Sequence, residues 1–272
     1  MFDNEGFEKY LNDLGLKKIT ITNHLKNLVK WTDYLDDKEI NEENIISILD
    51  NLDISNSQRL TLLTTASKYL KYSDLSNQKI LEYMSNVNKN LKKNFKERNK
   101  TKKYEYDVKD LKKEMNKFYD EGNKLAYMIT YIVMNYHTRN MDLDLYISDK
   151  QKNCPNKNDN YLIIRKSDIL YIRNNYKTAD TYGQKKHQIK NKKFIDSVKS
   201  IYESQDEKCM KLFKSFLNPT KFLKRLLPYN LKTSDICKIH LNENNGLNEA
   251  SKISTKRGSK LETLNSNYNL KV

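Results

Sequence analysis

One apolar segment, MITYIVMNYHTRNMDLDLYISD (residues 128 to 149), holds a single arginine, Arg139, with an acid three residues on, Asp142. The chain carries 50 basic residues, of which seven are arginines, so lysine is its default cation and an arginine beside a core segment needs a reason. One reason is ordinary: a cation at a helix end suits the negative end of the dipole. Another is chemical: a planar guanidinium can hold two oxygens of a phosphate at once, which an ammonium cannot. Other chemistry finds no support in the spacing. Cys154, Cys209 and Cys237 are widely separated, with no CxxC pair and no HExxH, so neither a disulfide framework nor a zinc site is indicated. A Gly-rich phosphate loop is missing, so nothing suggests ATP use, and no cofactor or metal is expected.

The formal net charge of +15 over 272 residues favours a polyanionic partner. Lysine, asparagine, isoleucine and tyrosine are all abundant, as in an AT-rich genome such as that of a large virus or a mobile element, and part of the lysine excess follows from that bias. Charged residues make up 31% and the apolar set 37%, but 19 tyrosines and eight phenylalanines are too many for a disordered chain. Six glycines and three prolines are too few for an all-β fold with many tight turns, so helix should dominate. No run has membrane-spanning length and the N-terminus lacks an apolar signal core, so a soluble, intracellular protein without a membrane partner is expected.

The elements that must position these residues fall into two domains. In the first, residues 1–90, FEKYLNDL and TITNHLKNLVKWTDYL show helical spacing, separated by a Gly-Leu break. NEENIISILDNLD and SNSQRLTLLTTASKYLKYSD follow, each opened by a helix-start signal. A charged run around residues 91–106 has almost no apolar periodicity and reads as a basic linker. The domain over 107–272 opens with helices DVKDLKKEMNKFYDEG and KLAYMITYIVMNYH. YLIIRKSDILYIRNNYK gives two alternating runs, a third strand falls at KKHQIKN, and NYKTADTYGQ between them reads as a hairpin tip. Helices resume at KKFIDSVKSIYES, KCMKLFKSFL, PTKFLKRLL, TSDICKIHLNEN and NEASKISTKRGSKLETLNSNY.

This order of parts resembles the tyrosine recombinases (the phage-integrase family). Four places carry the likeness. YHTRNMDL resembles the family's first arginine motif, with Arg139 and Asp142 in its positions. NYKTADTYG resembles the hairpin of the catalytic lysine, which makes Lys177 the candidate and Lys185 and Lys186 its rivals. YNLKTSDICKIHL resembles the HxxR motif and its helix, with Tyr229 in place of His and Lys232 in place of the second arginine. ASKISTKRGSKLETLNSNY resembles the last segment, where a Gly-His pair precedes the nucleophilic tyrosine by nine or ten residues. Gly258 and Tyr268 fit that spacing, and the His is absent.

The resemblance implies a mainly α protein. A small helical DNA-binding domain would precede an α+β catalytic domain with a three-stranded antiparallel sheet. It implies a site-specific recombinase that cuts and rejoins duplex DNA through a 3′-phosphotyrosyl link to Tyr268, working as a homo-oligomer, a tetramer in synapsis. Arg139 would bind the phosphate, Lys177 would protonate the leaving 5′-hydroxyl, and Tyr229 and Lys232 would complete the site. Lys232 keeps charge but loses the fork, and Arg257 or Arg225 could supply the missing guanidinium. Lys92, Lys93, Lys96, Lys102 and Lys103 would contact phosphates. Three alternatives remain open: a weakened relative that only binds DNA, a nicking-closing enzyme of the type IB topoisomerase kind, and a helical protein-interaction module with an adventitious basic surface.

Overall fold

The computed structural model describes residues 2–101, 104–154, 156–205, 207–214, 218–243 and 247–268, without the side chains of 95, 96, 98–101, 247 and 265–268. The chain divides into two compact units, Met1–Glu97 and Arg98–Val272. Among the described residues no helix is long and apolar enough to cross a membrane.

The first unit is helical: α1 (Asn4–Asp13), α2 (Lys18–Leu35), α3 (Glu42–Asn51), α4 (Asn56–Tyr72) and the start of α5 (Gln78–Thr101). Its periodic residues are the ones buried. Trp31, Leu35, Ile45, Leu49, Leu63, Ala66, Leu70 and Ile80 form one cluster, and Phe7, Leu11, Ile21, Leu28 and Tyr69 another. The helix starts follow their signals. Asn41 accepts the Asn44 N–H at 2.9 Å, and Ser55 with Gln58 closes a capping box on α4. Buried Glu42 accepts the Lys79 N–H at 2.6 Å, so the first turn of α5 is capped from another helix. The charged run read as a linker continues α5 as far as Thr101.

The second unit contains α6 (Val108–Asp120), α7 (Lys124–Tyr136), β1 (Leu145–Ser148), β2 (Asn160–Ile164), β3 (Ile169–Arg173), α8 (Ala179–Tyr182), β4 (Lys185–Ile189), α9 (Lys192–Glu203), β5 (Cys209–Lys211), α10 (Pro219–Lys224), α11 (Thr233–Glu243), α12 (Leu247–Arg257) and α13 (Leu261–Tyr268). One sheet runs in the order β4-β3-β2-β1-β5. The three strands read in the sequence, β2, β3 and β4, form an antiparallel meander. The expectation of a three-stranded antiparallel sheet is nevertheless corrected: β1 adds parallel to β2, and β5 closes the edge antiparallel to β1. Four and three residues long, these two strands are too short to show a period of two, and β5 lies in KCMKLFKSFL, which has helical spacing. Its ladder with Tyr146–Ser148 overrides that local preference. The core lies where α7 and α9 pack on the sheet, around Tyr127, Met128, Ile132, Val133, Leu145, Ile147, Leu162, Tyr171 and Phe194. The hairpin tip is the one-turn helix α8, closed by a hydrogen bond from the Tyr176 hydroxyl to the Gly183 carbonyl at 2.7 Å.

Candidate functional site

Arg139 stands where it does because α7 ends abruptly. His137 takes a left-handed conformation (φ 49°), and the chain turns into a 3₁₀ turn over Asn140–Leu143. Asp142, fully buried, accepts the Arg139 backbone N–H at 3.0 Å and so fixes the turn. The half-buried Arg139 side chain then reaches the end of α12. Its guanidinium donates to the carbonyls of Arg257 (2.9 Å) and Gly258 (3.3 Å) and to the Ser259 hydroxyl (2.9 Å).

The end of α12 is a helix terminus whose last carbonyls need donors from elsewhere. Gly258, at φ +66°, makes the Schellman turn: the Ser259 N–H donates to the Ser254 carbonyl at 3.0 Å and the Gly258 N–H to the Thr255 carbonyl at 3.3 Å. Cationic side chains satisfy the rest. Lys185 donates to the Thr255 carbonyl, Arg173 to that of Lys256 (2.6 Å), and Arg139 to that of Arg257. The Gly258 carbonyl takes a bond from the Thr178 hydroxyl at 2.5 Å as well as from Arg139. Arg257 points the other way: its guanidinium donates to the His137 carbonyl, at the end of α7, at 2.7 Å. Two helix C-termini therefore exchange arginines, and the cations offset the negative end of each dipole.

Behind this end lies Arg173, last residue of β3 and 0% exposed. It pairs with the Asp142 carboxylate, and its guanidinium sits 4.9 Å from the Tyr176 ring centre. In front lies a cavity of about 660 Å³, lined by Tyr182 and Lys185 from the hairpin and by Ser254, Thr255 and residues 258–262 from the α12–α13 turn. The Lys185 ammonium is pushed below the usual lysine range, first by burial and then by the charges of Arg173 and Arg139. An ammonium shifted in this way gives up its proton more readily.

Three of the four sequence motifs thus meet at Gly258: the first arginine, the β3–β4 hairpin and the turn ten residues before Tyr268. Within the hairpin it is Lys185 that reaches the turn, while the Lys177 side chain is exposed. Arg257 is buried and serves α7. The fourth motif adjoins the Arg139 turn through Thr233, whose hydroxyl donates to the Asn140 side chain at 2.8 Å. Lys232 itself is exposed. Tyr229, with φ 53°, lies flat on Tyr106, ring centres 3.6 Å apart and planes 2° from parallel. Its phenol is held above the usual range by desolvation first, then by the carboxylates of Glu114 and Asp110. Lys92 and Lys93 are exposed on α5. Lys102, Lys103 and the side chains of Lys96 and Tyr268 lie outside the described residues. Among the described residues no group of His, Cys, Asp and Glu is arranged to hold a metal ion.

Sequence reasoning passed over Arg173, and the signal that singled out Arg139 applied to it equally: a rare arginine in a lysine-rich chain. Thr178 carried no signal of its own.

No protein-family model matches this sequence. No curated protein matches it. Among solved structures, a crystal structure of XerA recombinase is similar, with 11% identity, a TM-score of 0.37, and coverage of 98% of this chain and 92% of that one. At this distance an assignment has to rest on the chain's own residues.

Proposed function

We propose that this chain binds duplex DNA and exchanges its strands through a covalent link to Tyr268, as its sequence motifs resemble those of the tyrosine recombinases. One observation carries the reading: Arg139, the Lys185 hairpin and the Gly258 turn, far apart in sequence, converge beside one open cavity at the base of the helix that ends in Tyr268. The Tyr268 phenolic oxygen attacks a backbone phosphorus, and the bond from phosphorus to the 5′-oxygen breaks. The leaving 5′-oxygen takes a proton from Lys185, whose half-buried ammonium suits a general acid better than the exposed Lys177. Arg139 offers the planar fork for the charge that grows on the non-bridging oxygens. The Ser259 hydroxyl beside it is a further donor. Rejoining is the same step reversed.

A nicked suicide duplex tests this, drawn from a randomised library that the protein binds. The short strand diffuses away and traps the intermediate. A denaturing gel should show the protein shifted by the mass of the strand, on the C-terminal peptide. Tyr268→Phe should abolish the adduct and leave binding unchanged. An adduct that survives the change moves the nucleophile, and no adduct from any bound duplex refutes strand transfer.

Two observations favour a second reading, DNA binding without cleavage. The Arg139 guanidinium bonds to backbone carbonyls, and Tyr229 is stacked on Tyr106. Tight binding with no adduct is its mark. Relaxation of a supercoiled plasmid by a monomer, without paired sites, would mark a nicking-closing enzyme instead.

A further inference from the structure

Arg173 is a large charged side chain with no exposed surface. Removing a guanidinium and a carboxylate from water is costly, and the attraction between them offsets that cost only when the remaining donors and acceptors are also satisfied. Here they are not. Arg173 meets Asp142 through one nitrogen, and both the Arg173 Nε and the Asp142 Oδ1 are buried without a hydrogen-bond partner. A pair this incompletely satisfied is a poor source of stability, and an apolar pair of similar volume would serve the core as well. What it does provide is geometry. One guanidinium nitrogen holds Asp142, the same oxygen of which holds the Arg139 N–H. The other nitrogen holds the Lys256 carbonyl at 2.6 Å. The plane of the group lies over Tyr176, whose ring is packed so closely against Gly258 that a Cβ there would come within 2.7 Å of it.

We propose that Arg173 is a positioning residue: from inside the core it sets the spacing between Arg139 and the Gly258 turn, and through that turn the place of the helix that ends in Tyr268. This rests on the reading of that segment as half of a strand-transfer site. Arg173 itself touches no substrate. Its rigid fork matters because its two nitrogens diverge toward two partners 114 residues apart in the chain, Asp142 and Lys256, which a lysine's single nitrogen does not do.

The test uses the full chain and the double variant Arg173→Met/Asp142→Asn. It removes both buried charges while leaving an oxygen to accept the Arg139 N–H. The melting temperature should stay close to that of the unaltered protein, and affinity for duplex DNA should be unchanged. Amide hydrogen exchange, read by mass spectrometry on the peptide covering 254–264, should be faster by about tenfold or more, while the rest of the second unit keeps its protection. Adduct formation on the suicide duplex should fall by about tenfold or more. Unchanged exchange in 254–264 overturns the positioning role, whatever the adduct does. A normal exchange difference with no adduct even from the unaltered protein leaves Arg173 as the positioner and refutes strand transfer instead. If the double variant does not fold, Arg173→Lys takes its place. It keeps the charge beside Asp142 and loses the second reach, so the same rise in exchange is expected, and its absence again overturns the proposal.

Discussion

The Arg139 guanidinium caps the end of α12, and the proposed function asks the same planar fork to hold a phosphate. The change Arg139→Lys separates these from mere charge. A lysine keeps the cation and cannot reach two carbonyls and a hydroxyl at once, so adduct formation should fall by about tenfold or more while duplex affinity holds nearly constant. Equal adduct yields from both proteins, in a gel time course, would reduce Arg139 to a surface cation at a helix end. The lysine rivalry in the hairpin is settled in the same assay. Lys185→Ala should slow cleavage and Lys177→Ala should weaken binding alone. Because the Lys185 ammonium is pushed down by burial and by Arg173 and Arg139, cleavage should be lost at a lower pH than an ordinary lysine would give. The active form is the protonated ammonium, so the rate falls as pH rises through the Lys185 pKa.

The α12–α13 turn shows what an element contributes that single residues do not. Gly258 is required twice, for its positive φ of +66° and for its contact with Tyr176, where a Cβ would come within 2.7 Å of the ring. Gly258→Ala should cost about 1–2 kcal/mol from the backbone alone, with the clash added, and thermal melting should register it. The same change at Gly122 (φ +80°) meets open space and should cost only the backbone part, so a Gly258 variant no worse than the Gly122 one would count against the Tyr176 contact. Much of this element was legible. The ten-residue interval from Gly258 to Tyr268, the Arg139–Asp142 spacing and the short apolar runs of β2 and β3, buried along almost their whole length, all lie in short windows where local pattern decides. β1 and β5 did not show themselves, because three or four residues carry no period and their ladder comes from distant chain. Arg173 stayed hidden for a related reason. In ILYIRNN it reads as the polar end of a strand, and its burial is dictated by Asp142, 31 residues earlier, and Lys256, 83 residues later. The stacking of Tyr229 on Tyr106 was equally unreadable, since a left-handed backbone at a bulky residue has no local signature.

At the scale of the whole molecule the charges divide into those that are buried and those that face a partner. The second unit holds one buried histidine, His137, and two half-buried ones, His187 and His240, whose ordinary protonation is disfavoured. His187 and His240 are each pushed down to about 4, first by burial, and His137 lies well below the usual range for the same reason. Unfolding returns each ring to its ordinary value near 6.5, so between about 4 and 6.5 the unfolded chain binds protons that the folded one does not. Their contribution is therefore complete above pH 6.5 and is lost as pH falls toward 4. The second unit should melt at a clearly lower temperature at pH 5 than at pH 7.5, and His187→Gln should reduce the difference. A melting temperature independent of pH over that range would mean that these rings are solvated.

The charges that face outward give the sharper test, because a net charge of +15 has two origins. If base composition alone supplied the lysines, they would be scattered and would attract any polyanion weakly. If they track a duplex, each phosphate neutralised releases counterions and adds about 0.9 to the slope of log affinity against log salt. Contact with six phosphates would weaken binding by about a thousandfold between 50 and 200 mM salt. Lys92 and Lys93 are exposed on α5, in the charged run that the sequence marks for the backbone. Changing both to glutamine should lower the slope by about 2 and weaken all duplex sequences alike, since a phosphate contact carries no base information. Arg139→Lys keeps its cation and should leave the slope unchanged. A slope that is flat from the outset would count against DNA as the partner. A steep slope that survives the loss of both lysines would keep the DNA and move its track off α5, to the lysines of the second unit.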